Sequence, residues 1–293
     1  MSTREQTVAG PGGRALRVRD FGDPAGVPVV VHHGTPGSGG FYERWRDDAA
    51  ERGVRLIGYD RPGYGGSDRH AGRTVADAAG DVDAICDQLR LDRVLTHGSS
   101  GGGPHALACA ALLGDRVAAA ATLGSVGPFD AGGLDFLAGM GETNVIELGA
   151  AVEGEATLAP LLDEMAGEIL SADPDELAGE LASILSPPDV AVVNGGLASE
   201  LLSGMREGIG ASRVGWVDDD LAFVRAWGFD LSAISVPTLL WQGRQDLMVP
   251  PAHGEWLAEH VPGVEAHLSD EDGHLSVELR RIGDVHAWLL ERY

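Results

Sequence analysis

The chain has 293 residues and carries 45 acidic against 21 basic side chains, a net charge of −24. That length builds one large α/β domain with an insertion, or two small domains, around a sizeable core. The charge repels phosphate backbones and excludes nucleic acid as an expected partner. All the basic residues are arginine, so Schiff-base chemistry and a lysine general base are excluded as well.

No apolar run reaches the ~20 residues that a bilayer span needs, so no membrane partner is expected. Residues 1–13 are polar and glycine-rich, without the apolar centre of a secretion signal, and the expected location is cytoplasmic. Cys86 and Cys109 each fall in an apolar, helical stretch and are read as two buried thiols. No Cys/His spacing suggests a metal site, and no cofactor is expected. The sequence carries no signal for oligomeric state.

The part up to about residue 23 reads as a short strand pair, with alternation over 15–21 and a Gly22-Asp23-Pro24 turn. Residues 27–33 form a continuous β-branched run, the pattern of a central strand buried on both faces. A helix over 41–52 and a strand over 54–59 follow. Residues 74–89 carry apolar side chains at helical spacing, with Thr74 as the N-cap and Asp77 three residues on. A strand over 94–96, a helix over 104–113 and a strand over 117–123 continue the alternation.

After Gly127-Pro128 the rhythm breaks. Residues 129–232 read as mostly helical, with helices over 176–185, stopped by Pro187-Pro188, and over 197–205. Alternation resumes with a strand over 236–241, a helix over 251–259, a strand over 265–268 and a closing helix over 275–290. Strands alternating with helices predict an α/β fold: a mostly parallel central sheet with helices on both faces. Reactive side chains in such sheets sit at the carboxyl ends of the strands.

At one such end stands Gly98-Ser99-Ser100-Gly101-Gly102. Strand, sharp turn and helix form the context in which G-x-S-x-G marks a nucleophile elbow. The serine projects from a strained turn, and strand and helix approach so closely that the positions two before and two after it tolerate little beyond hydrogen. Gly98 and Gly102 supply this, and Ser100 is the candidate nucleophile. Glycine is abundant, at 43 residues, so the pentapeptide alone does not decide the matter and the partners must.

A serine hydroxyl needs a base, and the base needs an orienting acid. Asp246, after the 236–241 strand, is the expected acid, with Asp130 as a competitor. His274 is chosen from 10 histidines because it follows Ser100 and Asp246 in order on a loop after the last strand. The run Asp270-Glu271-Asp272 is expected to be solvated and to raise the pKa of His274. The amide of Gly101 and that of Thr35 are the expected oxyanion donors, with Gly34 as runner-up, because Pro36 has no N–H. His33 is expected to brace that loop.

With these residues quoted, the chain resembles the α/β-hydrolase superfamily. The matching stretches are His33-Gly34-Thr35-Pro36-Gly37-Ser38, Tyr59 to Ser67, Gly98-x-Ser100-x-Gly102-Gly103-Pro104, Gly243-x-x-Asp246-x-x-Val249-Pro250 and Gly273-His274. They run in family order from about residue 15 to the end. The resemblance implies an α/β-hydrolase fold with a core over 1–128 and 233–293, an inserted helical cap over 129–232, and a structural role for the 60–67 loop. Ser100 stands where haloalkane dehalogenases and epoxide hydrolases of the superfamily carry aspartate.

The expected function is that of a serine esterase. Ser100, His274 and Asp246 would cleave a small to medium carboxylic ester, lactone or thioester through an acyl-enzyme, with a small-molecule acyl compound as partner. The His33 and Asp60 loops also look like those of proline iminopeptidases, whose elbow usually reads Gly-Gly-Ser-Trp-Gly. The peptidase alternative would need an acidic ammonium site in the cap, for which Glu153, Glu155, Asp218, Asp219 and Asp220 are available. A carbon–carbon bond hydrolase and a non-catalytic ligand receptor are further alternatives. Trp216, Phe223, Trp227 and Phe229 are candidates for an apolar pocket or for packing of the cap on the core.

Overall fold

The computed structural model describes residues 2–293. Eight strands form one sheet: β1 (Arg4–Ala9), β2 (Ala15–Phe21), β3 (Val27–His32), β4 (Val54–Tyr59), β5 (Val94–Ser99), β6 (Val117–Leu123), β7 (Thr238–Gly243) and β8 (Glu265–Ser269). Their order is β1-β2-β4-β3-β5-β6-β7-β8. β2 pairs antiparallel with β1 and with β4. Every later pairing is parallel. Pro28 lies in a central strand without breaking it: it faces Arg55 of β4, and pairing with β5 begins only at Val29.

Both faces of the sheet are covered, so its central strands are apolar throughout. Val29, Val31, Leu95 and Leu239 pack on Trp45 and Ala49 of α1 (Glu43–Arg52) and on Ile282, Val285 and Leu289 of the last helix. The alternate side chains Val30 and Ile57 pack on Val82, Ile85 and Cys86 of α2 (Asp77–Leu89) and on Cys109 of α3 (Gly103–Leu112). Both cysteines are buried free thiols.

Between β6 and β7 the chain makes six helices: α4 (Glu142–Glu153), α5 (Glu155–Ser171), α6 (Leu177–Glu180), α7 (Pro187–Val192), α8 (Ala198–Ile209) and α9 (Val214–Phe223). Leu158, Leu162, Ala166, Ile209 and Trp216 form a core of their own there, joined by Tyr64 from the loop after β4. α10 (Pro251–His260), α11 (His274–Arg280) and α12 (Ile282–Leu290) complete the chain.

Three local expectations are corrected. The 176–185 helix shrinks to α6, and Pro187-Pro188 open α7, because proline suits a first helical turn where no N–H is needed. The closing helix is two helices that meet at Arg281, so His274 is the first residue of α11 and not a loop residue. α2 begins at Asp77, and Thr74 stands outside it: both its N–H and its hydroxyl donate to Asp77 Oδ2, at 2.7 and 2.9 Å. Among the described residues no helix is long and apolar enough to cross a membrane.

Candidate active site

The turn after β5 holds Ser100 at φ 53°, one of two non-glycine residues in the left-handed region among the described residues. Its flanking glycines are dictated by contact. A Cβ on Gly98 would strike the carbonyl of Gly102, and a Cβ on Gly102 would strike the carbonyl of His32. A side chain at either place would push α3 off the sheet. Ser100 is thereby presented to a cavity of about 1000 Å³ that Thr35, Gly101 and His274 also line.

His274 is buried, with Nδ1 2.7 Å from Asp246 Oδ2. The acid is fixed in turn. Asp246 Oδ1 accepts from the N–H groups of Met248 and Val249 at 2.9 and 2.8 Å, and Oδ2 accepts from Gln242 Nε2 at 3.1 Å. A carboxylate so placed leaves the proton on Nδ1 and Nε2 free for chemistry. Asp246 stands behind the imidazole and does not line the cavity. Asp130, the competitor, is exposed on the turn after β6.

Burial disfavours the imidazolium of His274, but Asp246 outweighs burial, and Glu278 and Asp189 add to it, so its pKa is raised to about 9. The direction matches the sequence expectation, but the cause differs. Asp270 and Glu271 are exposed, and the main causes lie elsewhere; Asp272 is buried and pairs with Arg280 and Arg281 instead of being solvated. Asp189 comes from α7 and caps α11: it accepts from the N–H groups of His274 and Ser276 and from two serine hydroxyls. Glu278, on α11, has Oε1 3.9 Å from His274 Nε2. Sequence reading missed both. Glu278 lies four residues after His274, and helical spacing signals it once α11 is started at 274.

The opposite wall carries Thr35, whose hydroxyl donates to Asp219 Oδ2 at 2.8 Å and accepts from Arg61 Nη2 at 2.9 Å. Arg61 also donates to the carbonyls of His33 and Gly34. His33 bridges Gly34 O (2.7 Å) and the N–H of Arg61 (3.2 Å); burial and the adjacent Arg61 keep its pKa well below the usual value. The 60–67 loop therefore does more than hold shape, because through Arg61 it fixes the Thr35 loop to α9. A Cβ on Gly101 would meet the side chains of both Thr35 and Phe223, so the Thr35 side chain packs closely on the Gly101 backbone.

Trp216 and Phe223 line the cavity, whereas Trp227 and Phe229 stack on one another at 5.8 Å outside it. Among the described residues six carboxyl groups line it (Glu147, Glu168, Glu200, Glu207, Asp220 and Glu278) against one arginine, Arg46. Asp220 is 1% exposed and its Oδ2 has no hydrogen-bond partner among the described residues. Burial raises its pKa well above the usual range, and Glu147 and Asp219 push it further. Glu147 is itself raised by burial and accepts from Trp216 Nε1 at 2.7 Å. Of the other acids named for a cap site, Asp218 pairs with Arg69, Glu153 and Glu155 are exposed, and Asp219 is consumed by arginines. Among the described residues no group of three or more His, Cys, Asp or Glu side chains is arranged to hold a metal ion.

Comparison with known proteins fits this arrangement. Residues 27–147 match the family model for the alpha/beta hydrolase fold. The chain is 30% identical over 270 residues to a 2-hydroxy-6-oxononadienedioate/2-hydroxy-6-oxononatrienedioate hydrolase of Klebsiella pneumoniae, covering 90% of this chain and 86% of that one. Among solved structures, an alpha/beta hydrolase fold protein from Nakamurella multipartita superposes with TM-score 0.67 at 27% identity, covering 99% of both chains. An esterase from Exiguobacterium antarcticum gives TM-score 0.71 at 23% identity over 98% of this chain and 100% of that one, a likeness of fold. On the sheet order, the turn at Ser100 and these matches, the chain belongs to the α/β-hydrolase family.

Proposed function

We propose that the chain is a serine hydrolase that cleaves a small to medium carboxylic ester, lactone or thioester, with residues 129–232 acting as a cap over the site. The observation that carries this reading is the 2.7 Å contact of His274 with Asp246 beside a cavity that Ser100 also lines. Ser100 Oγ attacks the acyl carbonyl while His274 Nε2 takes its proton, and Asp246 holds the imidazole in the tautomer that leaves Nε2 free. The oxyanion is held by the N–H groups of Thr35 and Gly101, each donor worth ~3 kcal/mol in the transition state. His274 returns the proton to the leaving group, and water then releases the acid by the same path reversed.

Ser100→Ala is expected to lower turnover of a p-nitrophenyl ester about 10⁶-fold, and a fluorophosphonate probe is expected to label the unsubstituted chain at Ser100. Retention of most esterase activity in that variant would overturn the scheme. A probe that leaves Ser100 unlabelled favours the non-catalytic receptor.

A second reading draws on the buried pair of acids Asp220 and Glu147. Asp220 lies one helical turn, about 5 Å along α9, from Phe223, whose ring lies against Gly101. An acyl substrate bearing an ammonium group near its carbonyl would meet these acids, as an aminopeptidase requires. Turnover of aminoacyl anilides in preference to the plain ester favours this reading, and the reverse preference favours the esterase. The same acidic lining opposes a substrate with two carboxylates, since among the described lining residues Arg46 is the single arginine.

A further inference from the structure

One carboxyl beside the reactive side of His274 is not absorbed by the triad. Glu278 is 4% exposed and lines the cavity, with Oε1 3.9 Å from His274 Nε2. That separation is a charge contact and not a hydrogen bond. It sits on the nitrogen that must accept the proton of Ser100. His274 therefore has a carboxyl on each side: Asp246 on Nδ1 and Glu278 on Nε2.

The surroundings hold Glu278 in this place. Its backbone carbonyl accepts from Trp45 Nε1 of α1 at 3.2 Å. Its side chain receives the hydroxyl of Ser99, the residue before the nucleophile. The buried phenol of Tyr42, at the start of α1, is pushed upward by burial with Glu278 and Glu200 adding, so it is no competing base. From α7 comes Asp189, and from the loop after β7 comes Asp246, both anionic neighbours of the pair. Arg280 and Arg281 of the same stretch are engaged with Asp272 and do not neutralise Glu278.

We propose that Glu278 is a positioning residue that adds to Asp246 in holding His274 as an imidazolium in the free protein, so that the base is released more readily as the pH rises or as a ligand displaces the carboxylate from Nε2. This rests on the serine-hydrolase reading above for its effect on turnover, but the protonation state of His274 does not depend on that reading.

The sign follows from charge. A carboxylate near an imidazole favours its charged form, and removing that charge lowers the imidazole pKa. Burial pushes Glu278 up to about 7, while His274 and the Ser99 hydroxyl pull it down. Around and above neutrality the carboxylate thus shares the cavity wall with the imidazolium. Glu278→Gln keeps the shape and a hydrogen-bonding partner for Ser99 while removing the charge.

The test is the acidic limb of kcat/KM against pH for p-nitrophenyl acetate, with the full chain and with Glu278→Gln. The limb is expected to move to lower pH in the variant by about one unit, so that kcat/KM rises about tenfold between about pH 7, above which Glu278 is ionised, and the limb. An unmoved limb, or one moved upward, overturns the proposal, because a merely structural Glu278 would change amplitude and leave the midpoint alone. Proton NMR provides the check that needs no turnover. His274 keeps its Nδ1–H in both protonation states, and this signal is expected to hold its downfield imidazolium position to above pH 8 in the unsubstituted chain and to leave it at lower pH in Glu278→Gln. A midpoint near pH 6.5 in the unsubstituted chain, or one that the substitution leaves unmoved, would sink the idea even if Ser100 proves to be the nucleophile. If Ser100→Ala keeps its activity, the serine reading fails, and the NMR titration still decides the role of Glu278.

Discussion

Asp219 and Asp220 are neighbours on α9, both buried, and they meet opposite surroundings. Asp219 faces the sheet. It pairs with Arg61 and Arg73 at 2.6 Å each and accepts from Thr35 Oγ1 and Tyr64 Oη. Burial alone would raise its pKa, but the two arginines, with His105, hold it well below the ordinary carboxylate range. Asp220 faces the cavity, meets Glu147 instead of a cation, and is pushed the other way. Residue type is identical and position differs by one, so facing direction alone separates a carboxylate clamped by arginines from an acid paired with another acid. A buried charge with counter-charges is held ionised, and a buried acid beside an acid is driven toward its neutral form.

The largest effect that would break this comparison comes from Asp219→Asn. It leaves two buried guanidinium groups short of a counter-charge and frees Thr35, and the expected loss is about 3–5 kcal/mol in denaturant unfolding, together with reduced turnover. A loss below about 1 kcal/mol would mean that the clamp does not bind α9 to the Thr35 loop. The pH dependence has a definite sign. The native pKa of Asp219 is depressed, so its contribution is complete above the ordinary carboxylate range and is lost as pH falls below it.

Asp220→Asn sharpens the contrast with a smaller effect of opposite sign. Its native pKa is raised, so the ionised form costs stability as pH climbs from the carboxylate range toward neutrality. Removing that acid is expected to leave stability at neutral pH unchanged or raised by up to about 1 kcal/mol, measured in the same titration. Any preference for ammonium-bearing substrates should fall with it. A destabilisation as large as that of Asp219→Asn would erase the distinction between the two faces of α9.

Much of the core was legible because its requirements are local or geometric. Gly98 and Gly102 are needed for backbone clearance, which a pentapeptide can display. Val29–Val31 are buried on both faces, which an unbroken apolar run displays. Ser100, Asp246 and His274 each follow a parallel strand, so strand order alone directs them to one end of the sheet, and the structure puts His274 against Asp246.

The remainder depended on distant meetings. Glu147 and Asp220 come from α4 and α9, 73 residues apart in the sequence, with no spacing that relates them. Asp219 was one of several acids on the insertion until Arg61 and Arg73 were seen to claim it. Glu278 hid behind a helix start placed one residue late, and Asp189 behind prolines read as a stop where they open a turn.

The Arg61 guanidinium, held by the His33 and Gly34 carbonyls on one side and Asp219 on the other, has a consequence for traffic. Swinging α9 outward would strand three buried charges at once. At about 3–5 kcal/mol, that state is populated by fewer than about one molecule in a hundred. Any opening of the cavity that keeps these charges paired therefore leaves this latch shut.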